Sequence, residues 1–278
     1  MAEFVRETLL LFPFLFATYL VLEAVEARAG GALEGFLGRS RSIGPLVGAL
    51  AGAIPQCGVS AAAASLYAGG VLSVGTLVAV FLSTSDELIP VLVSTRAPVS
   101  LLVKIVSVKV VTAVAAGFAV NGMLAFMRRQ RRAVSVGELC AHSRCGCRER
   151  KGIVVPALIH SIEIFVFIAV VSGALELCMH FFGENALDSL RLKTPVVGEL
   201  LAGALGMIPN CAVSVAGAKL YLDGAISSGA LMASSFTGSG LGLLVLFRTN
   251  RNLKENVCVL ASVYAIGVVF GYLAGYLV

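Results

Sequence analysis

Two short segments carry the residue types that can hold an ion inside an apolar chain: Pro55-Gln56-Cys57-Gly58-Val59-Ser60 and Pro209-Asn210-Cys211-Ala212-Val213-Ser214. In each, a proline breaks the chain, an amide follows, and a Cys and a Ser stand at the start of the next apolar run. A helix start offers unpaired N–H groups and the positive end of the helix dipole, a field that draws a cysteine toward its thiolate. Thiolates select soft or thiophilic species, and Gln56, Asn210, Ser60 and Ser214 would add neutral polar contacts. Small residues are also common at tight membrane-helix crossings, where Cys57 and Cys211 would merely fit. Cysteine at both positions favours the binding site.

A second constellation is Ser83-Thr84-Ser85-Asp86-Glu87, followed by Pro90, inside an otherwise apolar run. Adjacent carboxylates at membrane depth are costly and usually functional, so Thr84, Ser85, Asp86 and Glu87 are candidate substrate contacts, and Asp86 and Glu87 candidate proton carriers. His160 and Glu163, three residues apart on one helix face, are further proton-relay candidates. Lys109 falls at a depth similar to Glu87 and reads as its packing ion pair. A third group, Cys140-x-His142-x-x-Cys145-x-Cys147, has soft-metal ligand spacing but stands among arginines that disfavour a cation. The metal-ligand set read from the sequence is therefore Cys57, Cys211, Asp86, Cys140, His142, Cys145 and Cys147. Cys178 and Cys258 read as core packing.

The elements that must position these groups are membrane spans. Of the 278 residues, 58% are hydrophobic and only 13% charged, where a globular domain is roughly a quarter charged. That excludes intrinsic disorder, a disulfide scaffold and a soluble enzyme with one apolar core. Apolar runs of spanning length are Leu9 to Ala27, Val71 to Val93, Val99 to Met127, Ile153 to Phe182, Ala225 to Phe247 and Val257 to Val278. Between them lie Ile43 to Tyr67 and Val196 to Tyr221, each split by its proline into pieces of about twelve residues, or about 18 Å of helix. Such pieces reach mid-membrane and return, which predicts re-entrant hairpins.

The two hairpin regions are copies. A shift of 154 residues superposes them with 12 identities over positions 55–77, where so Ala-, Gly- and Leu-rich a composition gives about two or three by chance. The shift also sets Thr237-Gly238-Ser239-Gly240 on the Ser83 to Asp86 stretch, predicting a second unwound segment without an acid. Basic residues cluster at Arg28 to Arg41, Arg128 to Lys151 and Arg248 to Lys254, fourteen of the 21 in the chain. If all three clusters are cytoplasmic, both termini lie outside and the copies are antiparallel. The fold expected is thus an all-α polytopic membrane protein, an inverted-topology repeat whose broken helices meet near the midplane. Its parts are a first repeat over residues 1–127, a basic Cys/His-containing cytoplasmic loop over 128–152, and a second, inverted repeat over 153–278.

This architecture predicts a secondary transporter of the inner membrane. No phosphate loop, catalytic triad or dinucleotide motif is present, so neither enzymatic activity nor a cofactor is expected. The net charge of +5 sits in short loops and predicts no nucleic-acid partner. The expected partners are the bilayer and the transported ion, and a homo-oligomer is compatible with this reading.

At Ile54 to Ser60, Leu66-Tyr67-Ala68-Gly69, Gly75 to Glu87, the Cys/His-containing central loop and Ile208 to Ala212, the sequence resembles a bacterial and archaeal family of ten-span heavy-metal exporters, whose members are described as arsenic efflux proteins or manganese transporters. The resemblance covers most of the chain. It implies a permease that exports a metal or metalloid ion, and three full crossings with two half-helices in each half supply its ten spans. Manganese would lean on Asp86, Glu87 and the amides, arsenite on the thiols. The alternative is a carrier for a small anion or sulfur compound, held at paired half-helix N-termini.

Overall fold

The structure is a computed structural model that describes residues 43–54, 57–84, 98–126, 194, 196–209, 211–222 and 224–277, with isolated positions between 13 and 20, 88 and 92, and 154 and 173. The chain is an all-α polytopic membrane protein. Its helices are α1 (Ile43–Gly52), α2 (Cys57–Ala68), α3 (Val74–Ser83), α4 (Val99–Phe126), α5 (Val197–Gly206), α6 (Cys211–Leu222), α7 (Ser228–Thr237), α8 (Leu241–Thr249) and α9 (Leu253–Ala274). The continuous helices α4 and α9 have 28 and 22 residues and are long and apolar enough to cross a bilayer. Helices α1, α2, α3, α5, α6, α7 and α8 have 9 to 12 residues, at most about 18 Å, and none crosses alone.

The 154-residue shift holds for the helix boundaries themselves. It carries α1, α2 and α3 onto α5, α6 and α7, start to start and end to end, and the start of α4 onto the start of α9. Local chemistry repeats with it. After α2 the chain turns at Gly70 with φ +77°, and after α6 at Gly224 with φ +70°. In both turns the N–H past the glycine reaches back to a leucine carbonyl, Val71 to Leu66 at 2.9 Å and Ala225 to Leu220 at 2.7 Å. This is the left-handed helix stop that glycine adopts without strain. Ser73 and Ser227 then cap α3 and α7, accepting from the N–H of Thr76 at 3.2 Å and of Ala230 at 3.0 Å.

Packing duplicates as well. Helix α3 lies against α4, and α7 against both α9 and α5. Gly117 of α4 approaches Gly75 and Ala79, and its counterpart Gly271 of α9 approaches Ala233, each so closely that a Cβ would fall within 3 Å of its neighbour. Glycine supplies the interface where lipid gives no hydrophobic drive for helices to associate. Nine of the ten residues of α3 are buried, whereas α4 turns Val103, Val111, Phe118 and Met123 outward, as a lipid-facing helix does. The halves interlock through α2, which packs against α8 of the other half.

Two sequence expectations are corrected here. Cys258 is exposed on α9 and not a core residue, because the helix rotates that face away from α7. The last span begins at Leu253 and not at Val257, because the turn before it is held by polar side chains that hydropathy does not register. Buried Asn250 donates to Asn256 Oδ1 at 2.6 Å, and Asn256 returns a bond to the Asn250 carbonyl at 2.8 Å. Asn256→Ala leaves a buried amide and carbonyl short of partners and is expected to cost about 1 to 3 kcal/mol. The denaturant midpoint of the purified chain should fall accordingly, and an unchanged midpoint would refute the assignment.

Candidate functional site

The helices α3 and α7 stop where they do for local reasons. At the end of α3, Ser83 Oγ and Thr84 Oγ1 both donate to the Val80 carbonyl, at 3.0 and 2.7 Å, and Thr84 turns out of the helix. At the end of α7, the Gly238 N–H closes onto Ser234 at 2.9 Å, and Gly240, with φ +54°, swings the chain into α8. The spans expected over Val71 to Val93 and Ala225 to Phe247 are thus helices interrupted at corresponding positions, the second within the predicted Thr237-Gly238-Ser239-Gly240 segment.

The hairpin tips lie level with these breaks. Helix α1 runs alongside α3, with Gly48 beside Thr76 and Gly52 beside Val80 and Ser83, so the end of α1 comes out next to the α3 end. Gly206 at the end of α5 stands likewise against Ser234 and Thr237. Thr237 Oγ1 donates to the Gly203 carbonyl at 2.8 Å and fastens the second tip to its break.

Lys109 joins the two halves. It is fully buried on α4, and its Nζ donates to the Thr84 carbonyl, to the Ser235 carbonyl at 2.7 Å and to Ser235 Oγ at 2.7 Å. The Phe236 ring centroid lies 5.9 Å from the same nitrogen. Carbonyls at helix C-termini carry partial negative charge, so two broken helix ends from opposite halves hold one cation between them. In the break after α7, Ser239 Oγ is buried with no hydrogen-bond partner. The sequence reading treated Lys109 as a packing partner of Glu87. Glu87 lies outside the described residues, and the described bonds of Lys109 make it a bridge between repeats.

Of the predicted site residues, Cys57 and Cys211 are the first residues of α2 and α6. Ser60 is fully buried one turn into α2, where the absent side chain of Gly242 lets α8 lie directly on it. Ser214 is half-buried on α6. Thr84 stands at the α3 break with its carbonyl on Lys109. Gln56, Asn210, Ser85, Asp86, Glu87, His160, Glu163, Cys140, His142, Cys145 and Cys147 lie outside the described residues. Among the described residues no three His, Cys, Asp or Glu side chains converge.

Three polar groups escaped the sequence reading: Ser235, Asn121 and Glu199. Glu199 is only 4% exposed in the first turn of α5, and Ser227 Oγ, the cap of α7, donates to its Oε1 at 3.2 Å. An acid alone in the apolar run from Val196 to Gly206 was the signal available for it. At the same end of the bundle Tyr276 donates to the Tyr272 hydroxyl at 2.8 Å. That bond, and with a smaller effect the charge of Glu199, raises the Tyr276 phenol above its ordinary value.

Residues 3–175 match the sequence profile of a family described as "Putative, 10TM heavy-metal exporter". No curated protein and no solved structure matches the chain.

Proposed function

Because the chain belongs to this ten-span heavy-metal exporter family, we propose that it is a secondary permease of the inner membrane that exports a metal or metalloid ion. The observation that carries the reading is the pair of broken helices, one from each half, joined at their ends through buried Lys109. Irregular backbone at membrane depth is tolerated where it lines a cavity or is buried in protein, and paired broken helices are the common substrate site of secondary transporters. Cys57 and Cys211 open the returning half-helices at the tips that lie level with these breaks. In this reading the two thiols contact a soft ion, Gln56, Asn210, Ser60, Ser214, Thr84 and Ser85 supply polar contacts, and Asp86 and Glu87 supply charge or carry a proton, with His160 and Glu163 on the relay. Cys140, His142, Cys145 and Cys147 form an accessory soft-metal site in the cytoplasmic loop. The two repeats are inverted, and alternating access comes from one rocking against the other under a proton gradient or membrane potential. Both termini lie outside.

Lys109 also favours a second reading. A buried ammonium held at the ends of both broken helices repels a bare divalent cation and suits a small anion better. The experiment is accumulation of manganese, zinc, cadmium and arsenite in everted vesicles, read by mass spectrometry with and without an imposed pH gradient. Gradient-dependent uptake of one ion, lost in Cys57→Ser/Cys211→Ser, is the expected result. Loss in Cys57→Ser alone indicates a soft ion, and loss in Asp86→Asn alone a hard one. Uptake of none, with competition among oxyanions instead, overturns the metal reading in favour of the anion carrier.

A further inference from the structure

We propose that Glu199 is a proton-binding site serving one end of the bundle only, and that it makes the permease sensitive to pH on that side. The start of α7 and the start of α3 are equivalent positions, and each receives a polar side chain from a neighbouring helix. At α3 it is the amide of Asn121, whose Oδ1 accepts from the Gly75 N–H at 3.0 Å. At α7 it is the carboxyl of Glu199, seated against Gly229, where a Cβ would come within 2.6 Å of Oε1. The glycine leaves the space that the carboxyl fills. Glu199 Oε1 accepts from Ser227, but Oε2 is buried with no hydrogen-bond partner. A buried carboxylate ordinarily has its oxygens satisfied by donors, and here one oxygen is left for a proton to bind. Asn121 cannot titrate, so the two ends of the repeat differ in this one respect.

Among the described residues, the groups facing Glu199 do not replace that proton. Helix α7 carries no titratable side chain. Helix α6 offers Cys211 at its far end, Lys219, which is exposed, and Tyr221. Helix α9 brings Tyr264, whose hydroxyl donates to the Leu200 carbonyl at 3.1 Å, and the Tyr272–Tyr276 pair, while its charged residues Lys254 and Glu255 stand at the opposite end. The Tyr272–Tyr276 pair stands at the same end of the bundle as the carboxyl, with Tyr272 half-buried and Tyr276 exposed. Ser228 Oγ, bonded to the Gly275 carbonyl at 2.9 Å, ties the start of α7 to this end of α9. A proton arriving at Oε2 therefore changes the charge at the end where α5, α7 and α9 are held together. The coupling role rests on the permease reading; the proton site does not.

The test is infrared difference spectroscopy of the full chain in liposomes between alkaline and acidic buffer, with proton-coupled uptake measured alongside. Wild type should show a protonated-carboxyl C=O band growing on acidification that Glu199→Gln lacks. Ser227→Ala should keep that band but displace it, since it loses the donor to Oε1, and it carries the test if Glu199→Gln does not fold. Identical spectra for wild type and Glu199→Gln, or an undisplaced band in Ser227→Ala, overturn the site. If the site stands, pH-gradient-driven uptake should lose its gradient dependence in Glu199→Gln, and full retention of that dependence overturns the coupling role. Wild type that moves no ion while showing the band refutes the permease reading and leaves the proton site intact.

Discussion

Lys109→Met should abolish transport and lower stability by about 3 to 5 kcal/mol, the range for removing one partner from a buried charged network. Methionine keeps the length of the stem but donates nothing. The Thr84 and Ser235 carbonyls, which accept from Nζ in the native chain, then face each other without a cation between them. The effect on transport should exceed what stability alone explains, because the link lost is one that joins the ends of the two broken helices. Lys109→Arg is not expected to rescue. A planar fork is larger than an ammonium, and the residue has no exposed surface over which to expand. The check is a melting curve in detergent together with uptake in liposomes. A variant that melts and transports like wild type would show that the bridge contributes nothing.

The second large effect is expected at the packed glycines. A Cβ on Gly271 would lie 2.5 Å from Ala233 Cα and 2.6 Å from its nitrogen, and backbone atoms cannot rotate aside. Gly271→Ala must therefore separate α7 from α9, at a cost of about 3 kcal/mol, the upper part of the usual overpacking range. Gly122→Ala is the matched control. Nothing lies within 4 Å of a Cβ there, and alanine in a helix interior gains about 1 kcal/mol over glycine. Thermal melts of the two variants should fall on opposite sides of wild type. Equal melting would mean that α7 and α9 are not in contact as described.

These two sites also mark how far the sequence could be read. Breaks are encoded locally, so the split at Pro209 and the Gly238-Ser239-Gly240 interruption were legible from residue type and from the repeat, whereas the Gly70 and Gly224 stops and the Ser73 and Ser227 caps entered only as matching residues of the repeat. The start of α9 was missed because Asn250 and Asn256 hold a polar first turn that a hydropathy window discards. Lys109 was legible as a buried cation but not as a bridge, since Ser235 lies 126 residues away and no local pattern records that distance. Glu199 was hidden by its own surroundings. One acid in an apolar run reads as tolerated until the unsatisfied oxygen is seen. Cys258 was misjudged because residue type does not say which side of a helix meets protein and which meets lipid.

The interlock of α2 with α8 has a consequence for biogenesis. Ala68 closes α2 and Leu241 opens α8, so 172 residues must be made before the partner of that hairpin begins to emerge. At a synthesis rate of about 5 to 20 residues per second the wait is on the order of 10 to 35 s. For that interval the first hairpin, made of two helices each too short to cross, lacks the helix that covers it. The nascent first half is therefore exposed on the α2 face until α8 is made, the stage at which an insertase or chaperone contact would protect it.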